Sequence, residues 1–323
     1  MSIPRSSRPV PRVLAVLAVL ALSAVTAFAQ VRDYTRIVVF GDSLSDTGNV
    51  AHLTAAKYGI PVPSPVGGNY TLGRFTDGYD TIPAAQNFFG VWVEQLSASI
   101  PSHPAVTDSL DGGTNYAFGF ALTGGGMSTL QLAGGQVTVE VENMGRQITD
   151  YLSTHPRINN KTLFVVWGGA NDVLNATSPT QIVNAAIQET LDVQRLIAAG
   201  ATQILVLNLP PLGLTPRLNG STAASQTANA ASALYNSWLA TGVAVLNDFY
   251  RWRRVAIYHV NVFSLFTQIA ANPSALSLDN ITMPAQGNFA INPDTYLFWD
   301  DLHPTTHGHN LVADAALKAL PPH

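Results

Sequence analysis

The chain has 323 residues, of which 47% are hydrophobic and 11% charged, and its 16 basic and 20 acidic residues give a formal net charge of −4. This apolar content excludes a chain that is disordered throughout, and the acidic excess argues against nucleic-acid binding, which usually requires a basic surface. The absence of cysteine excludes a disulfide framework, a thiolate nucleophile and a cysteine metal site.

The N-terminal segment has the pattern of a secretory signal peptide. Three arginines precede an apolar run over 13–29, which has no acidic residue and ends in the small-x-small motif Ala27-Phe28-Ala29. The alternative is an uncleaved membrane anchor, but the run is shorter than the roughly 20 residues of a spanning helix. We therefore predict a signal peptide over 1–29, a single mature domain over 30–323 without a stable membrane anchor, and a secreted protein, extracellular or periplasmic.

Apolar, β-branched runs alternate with helical patterns along the mature chain. The runs predict strands over 36–40, 162–167, 203–209 and 255–262, and the helical spacing predicts helices over about 180–199, 223–249 and 309–320. Continuous apolar runs are typical of strands buried on both faces of a parallel sheet. The alternation therefore predicts an α/β domain with right-handed crossovers. The segment 49–113, rich in proline and glycine, has little periodicity, and we interpret it as a long excursion near the site.

A serine follows the first predicted strand, within the sequence Gly41-Asp42-Ser43-Leu44. In open parallel sheets, ligands bind beyond the carboxyl ends of the strands. Ser43 would stand there, near a helix N-terminus whose N–H groups favour negative charge, which suits a nucleophile that generates an oxyanion. The alternative is that Ser43 only caps the helix.

An Asp-x-x-His sequence near the C-terminus offers the partners that a serine nucleophile needs. Asp300 and His303 are close enough for the carboxylate to bond one imidazole nitrogen, and an oriented imidazole can take the serine proton. Asp301 is the rival carboxylate. The histidines at 303, 307 and 309 could form a metal site, but no zinc motif accompanies them, and we expect no metal.

Two further segments could supply donors for an oxyanion. Asn171 follows the strand over 162–167, where its side-chain N–H groups could stabilise a developing negative charge, although an Asn-Asp turn is the alternative. The glycine-rich segment 112–126 lacks both phosphate-binding motifs, G-x-x-x-x-G-K-[ST] and G-x-G-x-x-G in a βαβ unit. One of its backbone N–H groups could be a second oxyanion donor.

Taken in order, these motifs resemble the GDSL (SGNH-hydrolase) family of secreted esterases and lipases. The resemblance covers about residues 35–320 and rests on five short motifs, at 40–49, 73–78, 169–172, 209–213 and 298–305. It implies a flavodoxin-like three-layer α/β/α sandwich with a central parallel sheet.

The resemblance also implies a role for each matched residue. Ser43 would be the nucleophile, His303 the base and Asp300 its orienting partner, with Asn171 and backbone N–H groups, including that of Ser43, in the oxyanion hole. The family often has a second glycine where this chain has Phe120. We therefore assign the second backbone donor to Gly119, with the Phe120 backbone as the alternative.

The sequence thus predicts a secreted serine carboxylic-ester hydrolase that works through an acyl-enzyme. Its substrate would be a small-molecule, lipid or acetylated-carbohydrate ester, and we expect no cofactor and no nucleic-acid partner. The alternatives are an acyltransferase with the same chemistry and a non-enzymatic carbohydrate- or surface-binding protein with this fold.

Overall fold

The computed structural model describes residues 34–63, 70–77, 88–102, 104–132, 137–288 and 290–322, and the predicted signal peptide lies outside them. The strands are β1 (Arg36–Gly41), β2 (Met127–Leu132), β3 (Val137–Glu142), β4 (Thr162–Trp167), β5 (Gln203–Leu207), β6 (Ala256–Val260), β7 (Asn280–Pro284) and β8 (Tyr296–Phe298). The α-helices are α1 (Asn49–Tyr58), α2 (Trp92–Ser99), α3 (Met144–Thr154), α4 (Ala170–Asn175), α5 (Pro179–Ala198), α6 (Thr222–Tyr250), α7 (Val262–Ala271) and α8 (Thr306–Ala319).

The central sheet is parallel, with the strand order β1-β4-β5-β6. The segment 114–118 runs parallel to the free edge of β1: the Val39 N–H donates to the Thr114 carbonyl at 3.1 Å, and the Tyr116 N–H donates to the Val39 carbonyl at 2.8 Å. When this segment is counted as a fifth strand and the strands of the sheet are numbered by their order along the chain, the segment is strand 2 and β1, β4, β5 and β6 are strands 1, 3, 4 and 5. Their order across the sheet is then 2-1-3-4-5, which is the flavodoxin-like order. The predicted fold class is confirmed.

Helices cover both faces of the sheet because successive side chains of each strand point in opposite directions. From β1, Ile37 and Val39 are buried in one core with α2, α7 and α8. Val38 and Phe40 are buried in a second core with α3, α5 and α6. These two cores make the three layers of the predicted sandwich, and they explain why each strand is a continuous apolar run.

The excursion over 49–113 is more ordered than its sequence pattern predicts, since it contains α1 and α2. The buried face of α1 consists partly of polar residues, Asn49 and Thr54, so its helical periodicity is hidden in the sequence. A β2–β3 hairpin, not predicted either, packs with Val50 of α1 in a third, smaller core. None of the helices in the described ranges combines the length and the apolarity needed to cross a bilayer.

Candidate active site

Ser43 lies in a tight turn directly after β1, at the carboxyl edge of the sheet, and only 6% of it is exposed. The carboxylate of Asp42 accepts the Leu44 N–H at 3.0 Å, and the Asp42 carbonyl accepts the N–H groups of Ser45 and Asp46 at 3.0 and 3.1 Å. Helix α1 begins only at Asn49. The nearest helix N-terminus thus lies several residues beyond Ser43, and its N-cap is Gly48, so the alternative that Ser43 caps this helix is wrong.

The C-terminal Asp-x-x-His sequence folds onto this turn. The Nε2 atom of His303 lies 2.9 Å from the Ser43 Oγ atom, across a separation of 260 residues. The Nδ1 atom of the same ring lies 2.7 Å from Oδ2 of Asp300. All three side chains are buried, so the structure brings the predicted serine, histidine and aspartate into one hydrogen-bonded series.

The environment of Asp300 favours its ionised form. Burial acts to raise the pKa of Asp300, but its interactions outweigh burial and lower the pKa to about 2. These interactions are the positive charge of His303, a hydrogen bond from the His303 ring, and hydrogen bonds from the backbone N–H groups of His303 and Leu302. A carboxylate that is ionised at neutral pH can orient the imidazole and stabilise its protonated form. The rival Asp301 instead pairs with Arg217 at 2.9 Å in a more exposed position.

Three residues of the excursion, for which the sequence predicts no individual role, support this series. The Tyr70 hydroxyl donates to Oδ2 of Asp300 at 3.0 Å. The Phe75 ring packs on the His303 ring, with 5.2 Å between centroids. The Asp77 carboxylate accepts the N–H and the hydroxyl of Thr306 in the first turn of α8. The motif at 73–78 pointed to two of these residues, but Tyr70 lies outside it.

Asn171 lies in the first turn of α4, at the carboxyl end of β4. Its Nδ2 atom donates one hydrogen bond to the Ala121 carbonyl at 3.1 Å. The amide nitrogen has two N–H groups, and Asn171 lines the same cavity as Ser43 and His303. Asn171 thus lies in the wall of this cavity with one further N–H beyond the one that bonds to Ala121.

The Gly119 amide, which we assigned as an oxyanion donor, is engaged within the protein. Its N–H donates to Oδ2 of Asp46 at 2.8 Å, and a Cβ atom at this position would lie 2.5 Å from the Phe75 ring. The next residue, Phe120, has a left-handed backbone with φ of 67°. No acceptor in the described parts of the chain receives the Phe120 N–H. The Gly119 N–H thus already has an acceptor within the protein, and the Phe120 backbone is the donor that we carry into the proposal below.

The cavity beside Ser43 is small and mostly apolar. Its volume is about 30 Å³, which is room for one or two water-sized groups. Pro211, Leu212, Phe266 and Phe298 form part of its wall. A buried hydroxyl bonded to an oriented imidazole, with amide donors in the same cavity, can attack a carbonyl carbon and stabilise the resulting oxyanion.

The other two histidines of the C-terminal motif serve packing rather than the cavity. The His307 ring stacks on Phe88 with 4.5 Å between centroids. His309 is completely buried, and burial, assisted by the positive charge of His303, lowers its pKa to about 3. Across the ranges that the structure describes, no three His, Asp or Glu side chains form a set that could hold a metal ion.

Similarity to known proteins extends along most of the chain. Residues 37–316 match the family described as GDSL-like lipase/acylhydrolase. A phosphatidylcholine-sterol acyltransferase from Aeromonas hydrophila is 25% identical over 88% of this chain and 89% of its own. A GDSL esterase/lipase from Arabidopsis thaliana is 26% identical over 87% of this chain and 86% of its own. A solved catalytic mutant of an acetylxylan esterase from Geobacillus stearothermophilus aligns with a TM-score of 0.46 and 9% identity, covering 90% of this chain and 95% of its own.

Proposed function

Because the chain belongs to the GDSL-like lipase/acylhydrolase family, we propose that it hydrolyses carboxylic esters through an acyl-enzyme formed on Ser43. Membership of this family and ester-bond hydrolysis, both predicted from the sequence, are confirmed by the match over residues 37–316. The observation that supports the proposed route is the 2.9 Å distance between Ser43 Oγ and His303 Nε2, together with the 2.7 Å distance between His303 Nδ1 and Asp300.

The proposed first step acylates the serine. The Ser43 oxygen attacks the ester carbonyl carbon while His303 takes the hydroxyl proton, and Asp300 stabilises the imidazolium. Three N–H groups stabilise the oxyanion: the second amide N–H of Asn171, the backbone N–H of Ser43 and that of Phe120. The C–O bond to the alcohol then breaks, and His303 protonates the leaving alcohol oxygen.

The second step releases the acid. A water molecule gives its proton to His303 and attacks the acyl carbon, the same N–H groups stabilise the second oxyanion, and the proton returns to the Ser43 oxygen as the carboxylic acid leaves. Over the two steps, one ester and one water are consumed, one alcohol and one carboxylic acid are released, and Ser43 and His303 return to their starting forms.

Acyl transfer is the second candidate function. The relative from Aeromonas hydrophila that aligns with 88% of this chain is named an acyltransferase. In the same cavity, an alcohol that replaces water in the second step would yield a new ester. Analysis of the products formed with an added acceptor alcohol distinguishes the two outcomes.

We also propose that the protein is secreted as a single domain, residues 30–323, after removal of residues 1–29. The support is the sequence pattern of a basic region, an apolar run and Ala27-Phe28-Ala29. N-terminal sequencing of the exported protein tests this proposal, with Gln30 as the expected first residue.

The decisive test of the catalytic proposal is Ser43→Ala. We expect turnover of p-nitrophenyl acetate to fall by more than about 10³-fold because the nucleophile is lost, while the urea unfolding midpoint stays close to that of the wild type. Ser153→Ala, at an exposed serine of α3, is the matched control and should keep full turnover. Undiminished hydrolysis by Ser43→Ala, or failure of a fluorophosphonate to label Ser43, would refute the assignment.

A further inference from the structure

An apolar groove lies beside the catalytic cavity, between the end of α4, the start of α5 and the first turns of α6. Its volume is about 720 Å³. Val173, Leu174 and Ile182 form one side, and Ala228, Ala231 and Leu234 of α6 form the other. The side chains that line it within the described structure are aliphatic, proline, serine or threonine, with none that is charged or aromatic.

The groove exists because α6 presents small side chains where larger ones would fill the space. Ala224, Ala228 and Ala231 follow one another at spacings of four and three, so they lie on one face of the helix. A contiguous open apolar surface of this kind marks a binding site on a protein more often than an inert surface.

The groove and the catalytic cavity share a wall. Leu212 lines both, and α4 contributes Asn171 to the cavity and Val173 to the groove. The cavity itself has a volume of only about 30 Å³. A substrate with an acyl chain of more than a few atoms must therefore extend out of the cavity, and Leu212 is the wall residue that the cavity shares with the apolar groove.

We propose that this groove binds the alkyl chain of the acyl group, which makes esters of medium- and long-chain carboxylic acids the preferred substrates. The proposal rests on the function proposed above. A sugar in this groove would have to hydrogen-bond its hydroxyl groups as they lose water, and the polar partners available are a few hydroxyls such as those of Thr177, Ser178 and Thr227. An alkyl chain needs no such partners.

The expected signature is a dependence of kcat/KM on acyl-chain length. Each methylene group that leaves water for the groove should raise kcat/KM by about fourfold. The increase should begin once the chain extends past Leu212 and should stop when the chain reaches the far end of the groove.

The test measures kcat/KM on p-nitrophenyl esters from acetate to decanoate. Ala231→Phe and Ala228→Phe place a ring in the groove, and each should lower kcat/KM for the octanoate at least tenfold while acetate turnover stays within twofold of the wild type. Ala233→Phe is the matched control, because Ala233 is exposed on the same helix outside the groove. This control should leave kcat/KM unchanged for both the acetate and the octanoate ester.

Two outcomes would overturn the proposal. The first is an unchanged chain-length profile in both groove variants. The second, measured on a parallel series of acetate esters with lengthening alcohol chains, is a loss confined to that series, since the groove would then hold the leaving alcohol.

A binding measurement separates this proposal from the catalytic one. Calorimetry with dodecanoate on the Ser43→Ala protein needs no turnover, and Ala231→Phe in that background should weaken binding at least tenfold. If the wild-type protein and Ser43→Ala hydrolyse p-nitrophenyl acetate equally, the catalytic assignment fails. The dodecanoate measurement then still shows whether the groove binds an alkyl chain. Equal dodecanoate affinity with and without Ala231→Phe would overturn the groove assignment.

Discussion

Phe120 holds a backbone conformation that glycine adopts more easily. A positive φ such as its 67° costs a residue with a side chain about 1–2 kcal/mol. Its ring meets the edge of the Phe75 ring, with 6.2 Å between centroids and an angle of 72° between planes. This contact offsets part of the backbone cost and links Phe120 to the residue that packs on His303.

We predict that Phe120→Gly keeps kcat on p-nitrophenyl acetate within about threefold of the wild type. The proposed oxyanion donor is the backbone N–H, which remains after the side chain is removed, and glycine accepts the left-handed conformation without strain. Steady-state kinetics check this expectation. A fall in kcat near the 10²-fold expected for a lost oxyanion donor would contradict it.

Tyr70 places a hydrogen-bond donor on the carboxylate that orients the imidazole. Its hydroxyl is 3.0 Å from Asp300 Oδ2, the oxygen that also contacts His303. Burial and the negative charge of Asp300 raise the pKa of Tyr70, so it remains a donor at neutral pH. Tyr70 is therefore a positioning residue that acts through Asp300.

We predict that Tyr70→Phe shifts the acidic limb of the pH profile of kcat/KM to higher pH and lowers kcat by less than about tenfold. Without the donor, more of the negative charge on Asp300 is available to the imidazolium. The contact between Asp300 and His303 that orients the base remains, which limits the loss of kcat. Tyr58→Phe is the control, because the Tyr58 hydroxyl bonds to Thr138, away from the site. A pH profile identical to the wild type would contradict a role through Asp300.

At the scale of elements, one carboxylate connects the start of α1 to the loop that contains Phe120. Asp46 accepts the N–H groups of Gly48, Asn49 and Gly119, each at 2.8 Å, and that of Val50 at 3.3 Å. Asp46 is completely buried. The position of the proposed oxyanion donor therefore depends on the N-terminus of a helix 70 residues earlier in the chain.

We predict that Asp46→Ala lowers the free energy of unfolding by about 3 kcal/mol or more. Each buried N–H left without an acceptor costs roughly 1–3 kcal/mol, and some regain water. The measurement is urea denaturation at pH 8. Asp150→Ala is the control: Asp150 forms an exposed pair with Arg146, worth at most about 1 kcal/mol. Equal losses of unfolding free energy in the two variants would show that the hydrogen bonds of Asp46 contribute no more to stability than an exposed ion pair.

The same element shows why part of the fold was not predictable from the sequence. The Asn49 side chain donates to the carbonyls of Asn115 and Ala117, and the Thr54 hydroxyl donates within α1 to the Val50 carbonyl. A helix whose buried face is polar shows no apolar periodicity. Its distant partners are adjacent only in the folded protein, so the sequence of 49–113 predicts no more than a long excursion.

Over the whole molecule, buried titratable groups act on stability in opposite directions as pH changes. Burial raises the pKa of Asp42 to about 7 and that of Asp77 to about 6, so the stability associated with their protonated forms is present below pH 3.8 and is lost as pH rises through 6–7. Burial lowers the pKa of His309 to about 3, so its contribution is complete above pH 6.5 and is lost as pH falls toward 3.

We predict that His309→Leu removes about 2 kcal/mol of the change in unfolding free energy between pH 7 and pH 5. In the wild type, the unfolded chain binds a proton at His309 over this range while the folded chain does not, so acid favours unfolding. Urea denaturation of both proteins at the two pH values gives the difference. An unchanged pH dependence in His309→Leu would contradict the prediction.

The sequence by itself determined the family, the class of reaction and the parallel sheet with its long helices. These features are local: a strand buried on both faces is a continuous apolar run, and each motif places its chemistry within a few neighbouring residues. Only the tertiary structure decided that Asp46 engages the Gly119 amide, that Tyr70 bonds to Asp300, and that alanines of α6 leave an apolar groove beside Leu212. The physical reason is that hydrogen-bond partners and cavities depend on which surfaces pack together. Residues 70 to 230 positions apart show no local sequence pattern that predicts such a contact.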